Sequence, residues 1–197
     1  MRFMQLSVLA SIAAVYAIFI YKPSESQREV VSVPDVIEYQ TVKTWKCPSC
    51  SPEEKYVLKQ LQEKTKIADR NALATIMGNI KQESKFISNI CEGGARVPYD
   101  RCYRGGYGII QWTSENRYAG LGSFARKYKC NPSDLPCQVR YMISEIQFQT
   151  ALSKFSQKGQ GVRYYMGAAY SWLGWGIEGS RVQYTWQYAN KLTRTGA

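Results

Sequence analysis

Histidine is absent from this chain of 197 residues. Its absence excludes Ser-His and Cys-His nucleophilic catalysis, and with them every metal site built on imidazole. Acidic residues are also scarce, 15 against 26 Lys and Arg, for a formal net charge of +11. Acid–base chemistry without histidine leans on carboxylates, and few are on offer. The basic residues are scattered and form no dense block of the nucleic-acid-binding type. The anionic partner implied by the charge is therefore a membrane face or a polyanionic wall polymer, with no nucleic acid. A second CxxC is missing, which together with the missing histidine argues against a zinc ribbon. No metal and no cofactor is expected, and no internal repeat or low-complexity tract is visible.

What is present begins with a membrane-type segment. Phe3 to Tyr21 is an apolar run without charge, flanked by Arg2 and Lys22. As a helix it would span roughly 28 Å, about the thickness of a hydrocarbon core. It ends Ile18-Phe19-Ile20-Tyr21-Lys22-Pro23, without the small residues of a cleavage site, so residues 1–22 are expected to be an uncleaved transmembrane anchor rather than a cleaved signal. Residues 23–46 show no helical period and read as a linker, with a short extended piece at Val36–Val42. The globular domain is expected over 47–197, and 45% hydrophobic content suffices for one core.

Six cysteines follow this export-type segment, in the setting where disulfides persist. The close spacings Cys91/Cys102 and Cys130/Cys137 suggest local staples. Cys47-Pro48-Ser49-Cys50 fits a redox dithiol, half a zinc site or a small disulfide. No thioredoxin-like βαβ pattern surrounds it, so a structural disulfide is the default.

Ser51-Pro52-Glu53-Glu54 is a capping box with proline at the first helical position, opening a helix that carries Val57, Leu58 and Leu61. Asp69 caps a second helix ending at Glu83. A glycine-rich, irregular stretch runs from Cys91 to Gly108, and Tyr107–Thr113 reads as a short strand. Helices are then expected over about 114–128, 134–150, 161–173 and 180–193. In the second of these Val139, Met142, Ile143 and Ile146 form the core stripe. In the last, Ser180 caps and Val182, Trp186, Ala189 and Leu192 point inward. The fold class is α+β, predominantly helical, with a small β lobe inserted after Glu83.

Glu83 is the residue that stands out. Leu73, Ile76, Met77 and Ile80 form one helical stripe, and Glu83 continues it. A carboxyl group on an apolar face loses water, which raises its pKa, and the negative end of the helix macrodipole acts in the same direction. An acid that stays protonated near neutral pH is what glycosidic-bond cleavage requires. The competing assignment is a solvent-exposed glutamate at a helix end.

Glu83-Ser84-Lys85-Phe86 resembles the Glu-Ser-x-Phe signature of lytic transglycosylases and goose-type lysozymes, and Gly108-Ile109-Ile110-Gln111 resembles their Gly-x-x-Gln motif. More closely, Ile76–Ser84 followed by Gly106–Thr113 is similar to the phage tail lysozyme domain family. Leu135–Ile146 resembles that family's next helix, and Arg181-Val182-Gln183-Tyr184 with Ala189 its closing helix, so the likeness covers about 68–193. The resemblance implies a lysozyme-like fold and cleavage of the β-1,4 bond between N-acetylmuramic acid and N-acetylglucosamine in peptidoglycan. It implies Glu83 as general acid and Gln111 as a cleft residue, with its amide turned to sugar groups. Trp112, Tyr107 and Tyr103 are candidates to stack on sugar rings, or else core and surface aromatics.

The second carboxylate of an inverting hydrolase is sought in Glu92, nine residues after Glu83, or in Asp100 in the same insertion. A lytic transglycosylase needs neither, because the sugar's own C6 hydroxyl attacks. Ala169-Tyr170-Ser171 faintly resembles that group's Ala-Tyr-Asn motif, with Ser171 where Asn is expected. A non-catalytic wall-binding module that keeps the fold is the third alternative. The expected setting is a membrane-anchored domain facing the periplasm or extracellular space, or a virion membrane. There it would open the wall locally, beside other virion or envelope-complex proteins.

Overall fold

The computed structural model describes residues 44–103 and 105–194. The expected anchor at 3–21, most of the linker and the extended piece at Val36–Val42 lie outside the described residues. Among the described residues no helix is long and apolar enough to cross a membrane.

The chain order is β1 (Trp45–Lys46), α1 (Pro52–Thr65), α2 (Arg70–Ser84), a short 3-10 turn (Tyr99–Arg101), α3 (Glu115–Tyr128), α4 (Leu135–Ser144), α5 (Ile146–Phe155), α6 (Val162–Leu173), α7 (Arg181–Lys191) and β2 (Thr193–Arg194). The described domain is thus predominantly helical, with one small antiparallel sheet that pairs Trp45 with Arg194 and Lys46 with Thr193. That pairing brings two residues assigned to the linker into the domain.

The helix starts follow from side-chain caps. Ser51 Oγ accepts from Glu54 N at 3.2 Å and Glu54 Oε2 accepts from Ser51 N at 2.8 Å, the reciprocal bonds of a capping box. Asp69 Oδ1 accepts from Asn71 N and Ala72 N at the head of α2. Ser180 does not cap α7; its own N–H donates to Gln82 Oε1 at 2.9 Å, so α7 is fastened to α2 instead.

Helix α2 is buried on all sides from Ala72 to Ile80, more than a one-face stripe predicts, and is the axis of the core. Its tightest partner is α7. A Cβ built on Gly78 would lie 2.5 Å from Thr185 N and 2.8 Å from Thr185 Cα, so only glycine permits this approach. Small Thr185 is therefore the inward residue of α7, flanked by Arg181, Tyr188 and Ala189. Trp186, expected to point inward, is 49% exposed, because the helix presents the Thr185 face to Gly78.

The helix expected over 134–150 is two helices. Glu145, in extended conformation, separates α4 from α5. The break turns Ile146 out to solvent at 73% exposure and buries Phe148 in its place. The strand expected at Tyr107–Thr113 is a tight turn closed by Trp112 N to Tyr107 O at 2.9 Å, with Gly108 at φ +76° and Gln111 at φ +51°. The small lobe carries isolated bridges, Ile90 to Arg96 and Cys91 to Tyr107, rather than regular strands. Buried Gln138 on α4 ties it down: Oε1 accepts from Ile109 N at 2.9 Å, and Nε2 donates to Ser88 O and Pro132 O at 2.7 Å each. Three disulfides close local loops: Cys91–Cys102 and Cys130–Cys137, the two pairs suggested by spacing, and Cys47–Cys50, the default reading of its CxxC.

Gly78→Ala tests the central contact. A methyl group gains about 1 kcal/mol of helix propensity over glycine. Overpacking against backbone typically costs about 1–3 kcal/mol and here dominates, because the obstructing atoms are main chain. The variant is expected to unfold at lower urea concentration than the wild type; equal or greater stability would contradict the close approach.

Candidate active site

Helix α2 stops abruptly. Lys85 and Phe86 both take left-handed conformations, φ +54° and +65°, each costing about 1–2 kcal/mol for a residue with a Cβ. Ser84 helps to hold the stop: its Oγ donates to Ile109 O at 2.8 Å and accepts from Phe86 N at 3.1 Å, while the Phe86 ring is buried. The Ser and Phe of the Glu-Ser-x-Phe stretch therefore join the helix end to the turn at 107–112. Glu83 is left in the last helical turn, facing a cleft of about 820 Å³.

The cleft walls come from four places. Gln82 and Glu83 stand on α2, Ile110 and Gln111 on the turn, and Thr113, Ser114 and Arg117 lead into α3. Leu173 to Ile177, with Arg181, form the fourth wall. A second hollow of about 560 Å³ beside β1 and α1 holds one carboxylate, Glu63, which is paired with Lys59 on the same helix at 3.8 Å and well exposed. The first has the buried carboxylate on its wall.

Glu83 Oε1 accepts a hydrogen bond from Arg181 Nη2. The Arg181 guanidinium is itself fixed: Nη1 donates to Ile177 O at 3.1 Å and Glu178 O at 2.9 Å, and its carbon lies 4.6 Å from the Trp175 ring centroid. Oε2 of Glu83 has no hydrogen-bond partner among the described residues, and the side chain keeps 15% exposure. Arg117, across the cleft, grips Glu145 bidentately, Nε to Oε1 and Nη2 to Oε2, both at 2.9 Å. Its main chain is held by Tyr141, whose hydroxyl donates to Arg117 O at 2.9 Å.

Burial is the largest influence on Glu83 and pushes its carboxyl above the usual carboxylate range. Arg181, by charge and hydrogen bond, and Arg117, by charge, pull it down without prevailing. A guanidinium contact taken alone would predict the opposite direction; loss of water from the carboxyl outweighs it. Glu54 supplies the contrast. It is also buried, and burial is again the largest single influence, raising its pKa. Yet Tyr188, Ser51 and Lys81 all donate to it, and together they hold its carboxyl below the usual range.

Of the residues singled out from sequence, Glu83 and Gln111 share the cleft. Gln111 Nε2 donates to Gly108 O at 2.9 Å and Ile90 O at 3.4 Å, so its amide N–H groups brace the turn rather than face a sugar. Tyr107 and Trp112 are fully buried, which removes them as stacking surfaces: Tyr107 packs on Tyr99 and Tyr118, and Trp112 on Tyr141. Tyr103 is 85% exposed and is not among the cleft-lining residues. Glu92 Oε2 accepts from Gly106 N at 2.9 Å within the small lobe, and Asp100 sits exposed in the 3-10 turn; neither lines the cleft. Glu83 is the single carboxylate among the described residues that do.

The residues missed were Arg181, Arg117 and Trp175. One signal was present for Arg181. A cation in the first turn of a helix opposes the macrodipole, just as Glu83 does at a helix end.

A buried acid at a helix end, facing an open cleft, is the construction of lysozyme-like glycosidases. Residues 53–193 match the family model described as phage tail lysozyme, and the chain belongs to that family. Membership implies a lysozyme-like, cell-wall-directed glycosidase with peptidoglycan as the substrate. No curated protein and no solved structure matches the chain significantly.

The titration of Glu83 is directly measurable. Carboxyl carbon NMR should show it losing its proton at a pH above that of the exposed glutamates. The direction follows from desolvation outweighing Arg181. A midpoint at or below theirs would contradict the balance of forces described.

Proposed function

We propose that the protein is a muramidase that cleaves the β-1,4 bond between N-acetylmuramic acid and N-acetylglucosamine, with Glu83 as general acid. The observation that carries this reading is the Glu83 carboxyl itself. It is desolvated, has a raised pKa, is held at Oε1 and, among the described residues, is free at Oε2 on the wall of the cleft. Protonation of the leaving oxygen by Oε2 lets the C1–O bond break as an oxocarbenium-like centre develops. Water then captures C1.

A lytic transglycosylase is the second reading, and one observation favours it. With no other carboxylate lining the cleft among the described residues, a general base for water is not provided by Glu92 or Asp100. Attack by the sugar's own C6 hydroxyl needs less help and leaves a 1,6-anhydro end. The apolar run Phe3–Tyr21 supports an anchored, outward-facing domain, in an envelope or virion membrane, with other proteins of that assembly nearby. The net charge of +11 suits capture by an anionic wall polymer.

Glu83→Gln keeps the shape and removes the proton. Wall-lysing activity should fall by about 10²–10⁴-fold, the usual contribution of a general acid. Retention of activity would overturn Glu83 as the acid, and a wild type that binds wall without lysing it would leave the wall-binding module as the better account. Mass spectrometry of digested peptidoglycan should show reducing-end sugars; 1,6-anhydro ends would establish the second reading instead.

A further inference from the structure

Arg181 lies next to the acid, yet its chemistry reaches beyond an ordinary ion pair. Its side chain is 6% exposed, and its residue occupies the first turn of α7, where the helix dipole disfavours a cation. Burying a guanidinium there is unfavourable unless its charge is used. Its partners divide cleanly. Nη1 is consumed by two carbonyls, the flat face rests over Trp175, and Nη2 alone is aimed at Glu83. Nε is buried without a hydrogen-bond partner among the described residues, so the other four contacts define the side chain's pose.

Resting on the reading of Glu83 as the acid, we propose that Arg181 is a positioning residue. It fixes Oε1 so that Oε2 presents the proton, and it takes up the negative charge left when that proton departs. The step balances simply. The proton moves from Oε2 to the glycosidic oxygen, which keeps the electron pair of the broken C1–O bond. Glu83 becomes a carboxylate in a desolvated wall, and Nη2 is already in place to compensate it. Water or the sugar's own hydroxyl then bonds to C1 and releases a proton. Because the guanidinium is tethered before the reaction, no reorganisation is needed as the charge forms.

The charged groups that act on Glu83 are Arg181 from α7 and Arg117 from α3, the latter with its charge engaged by Glu145. The polar neighbours Gln82, Gln111, Thr113 and Ser114 are uncharged. The pH profile therefore reports on Arg181 without a competing titration in the cleft wall.

The test is the pH–rate profile on purified peptidoglycan for the wild type, R181M, R181K and E83Q, with thermal unfolding of each. R181M should lower kcat by about 10- to 100-fold, the worth of a charge-assisted hydrogen bond. At the same time its alkaline limb should move to higher pH, because the influence that eases deprotonation of Glu83 is gone. R181K, which keeps a charge without the planar fork, should fall between R181M and the wild type in both respects. It also serves as the readout if R181M fails to fold. A lowered kcat with an unmoved limb in the folded variant would overturn the proposal, since packing alone would then explain the loss. Wild-type activity in E83Q would instead overturn the assignment of the acid, whatever R181M does.

Discussion

The approach of α2 to α7 at Gly78 is the constraint on which the rest of the molecule depends. Without a side chain at that position the two backbones come close enough for Thr185 to rest on the helix. Gln82 can then catch the start of α7, and Arg181 can reach Glu83. One missing methyl group in the core thus sets the distance between an acid and a cation that lie 98 residues apart in the chain. The cleft is downstream of that contact.

How much of this was legible in the sequence depends on range. The caps at Ser51 and Asp69 and the Cys91–Cys102 and Cys130–Cys137 disulfides involve residues close in the chain, and spacing suggests them, while Cys47–Cys50 was the default among three readings of its CxxC. Glu83 was legible because an acid among Leu73, Ile76, Met77 and Ile80 breaks a local pattern. Arg181 was not, because its pattern violation makes sense only beside Glu83. Each residue opposes the dipole of its own helix, and the two violations resolve each other across space. The aromatic residues misled for a related reason. Tyr107 and Trp112 sit beside the motif in sequence, but a turn built on Gly108 and Gln111 swings both rings into the core. Trp175, remote in sequence, lines the cleft.

The two family-like stretches are in large part scaffold. Ser84, Phe86, Gly108 and Gln111 bind neighbouring backbone or fill the core, and Glu83 is the carboxylate they leave on the cleft wall. Gln138, outside both stretches, is as important to the lobe as any of them, since three backbone groups from separate segments converge on its amide. Glu83 and Glu54 also show that burial does not by itself set an acid's state. Hydrogen bonds and charge from Tyr188, Ser51 and Lys81 outweigh the burial of Glu54, whereas Arg181 and Arg117 do not outweigh that of Glu83.

The pairing of β1 with β2 has a mechanical consequence. Trp45 faces Arg194, so the chain enters and leaves the described domain at the same end of the ladder. Tension applied between those two points peels the strands apart pair by pair, and the helices carry load only after the ladder has opened.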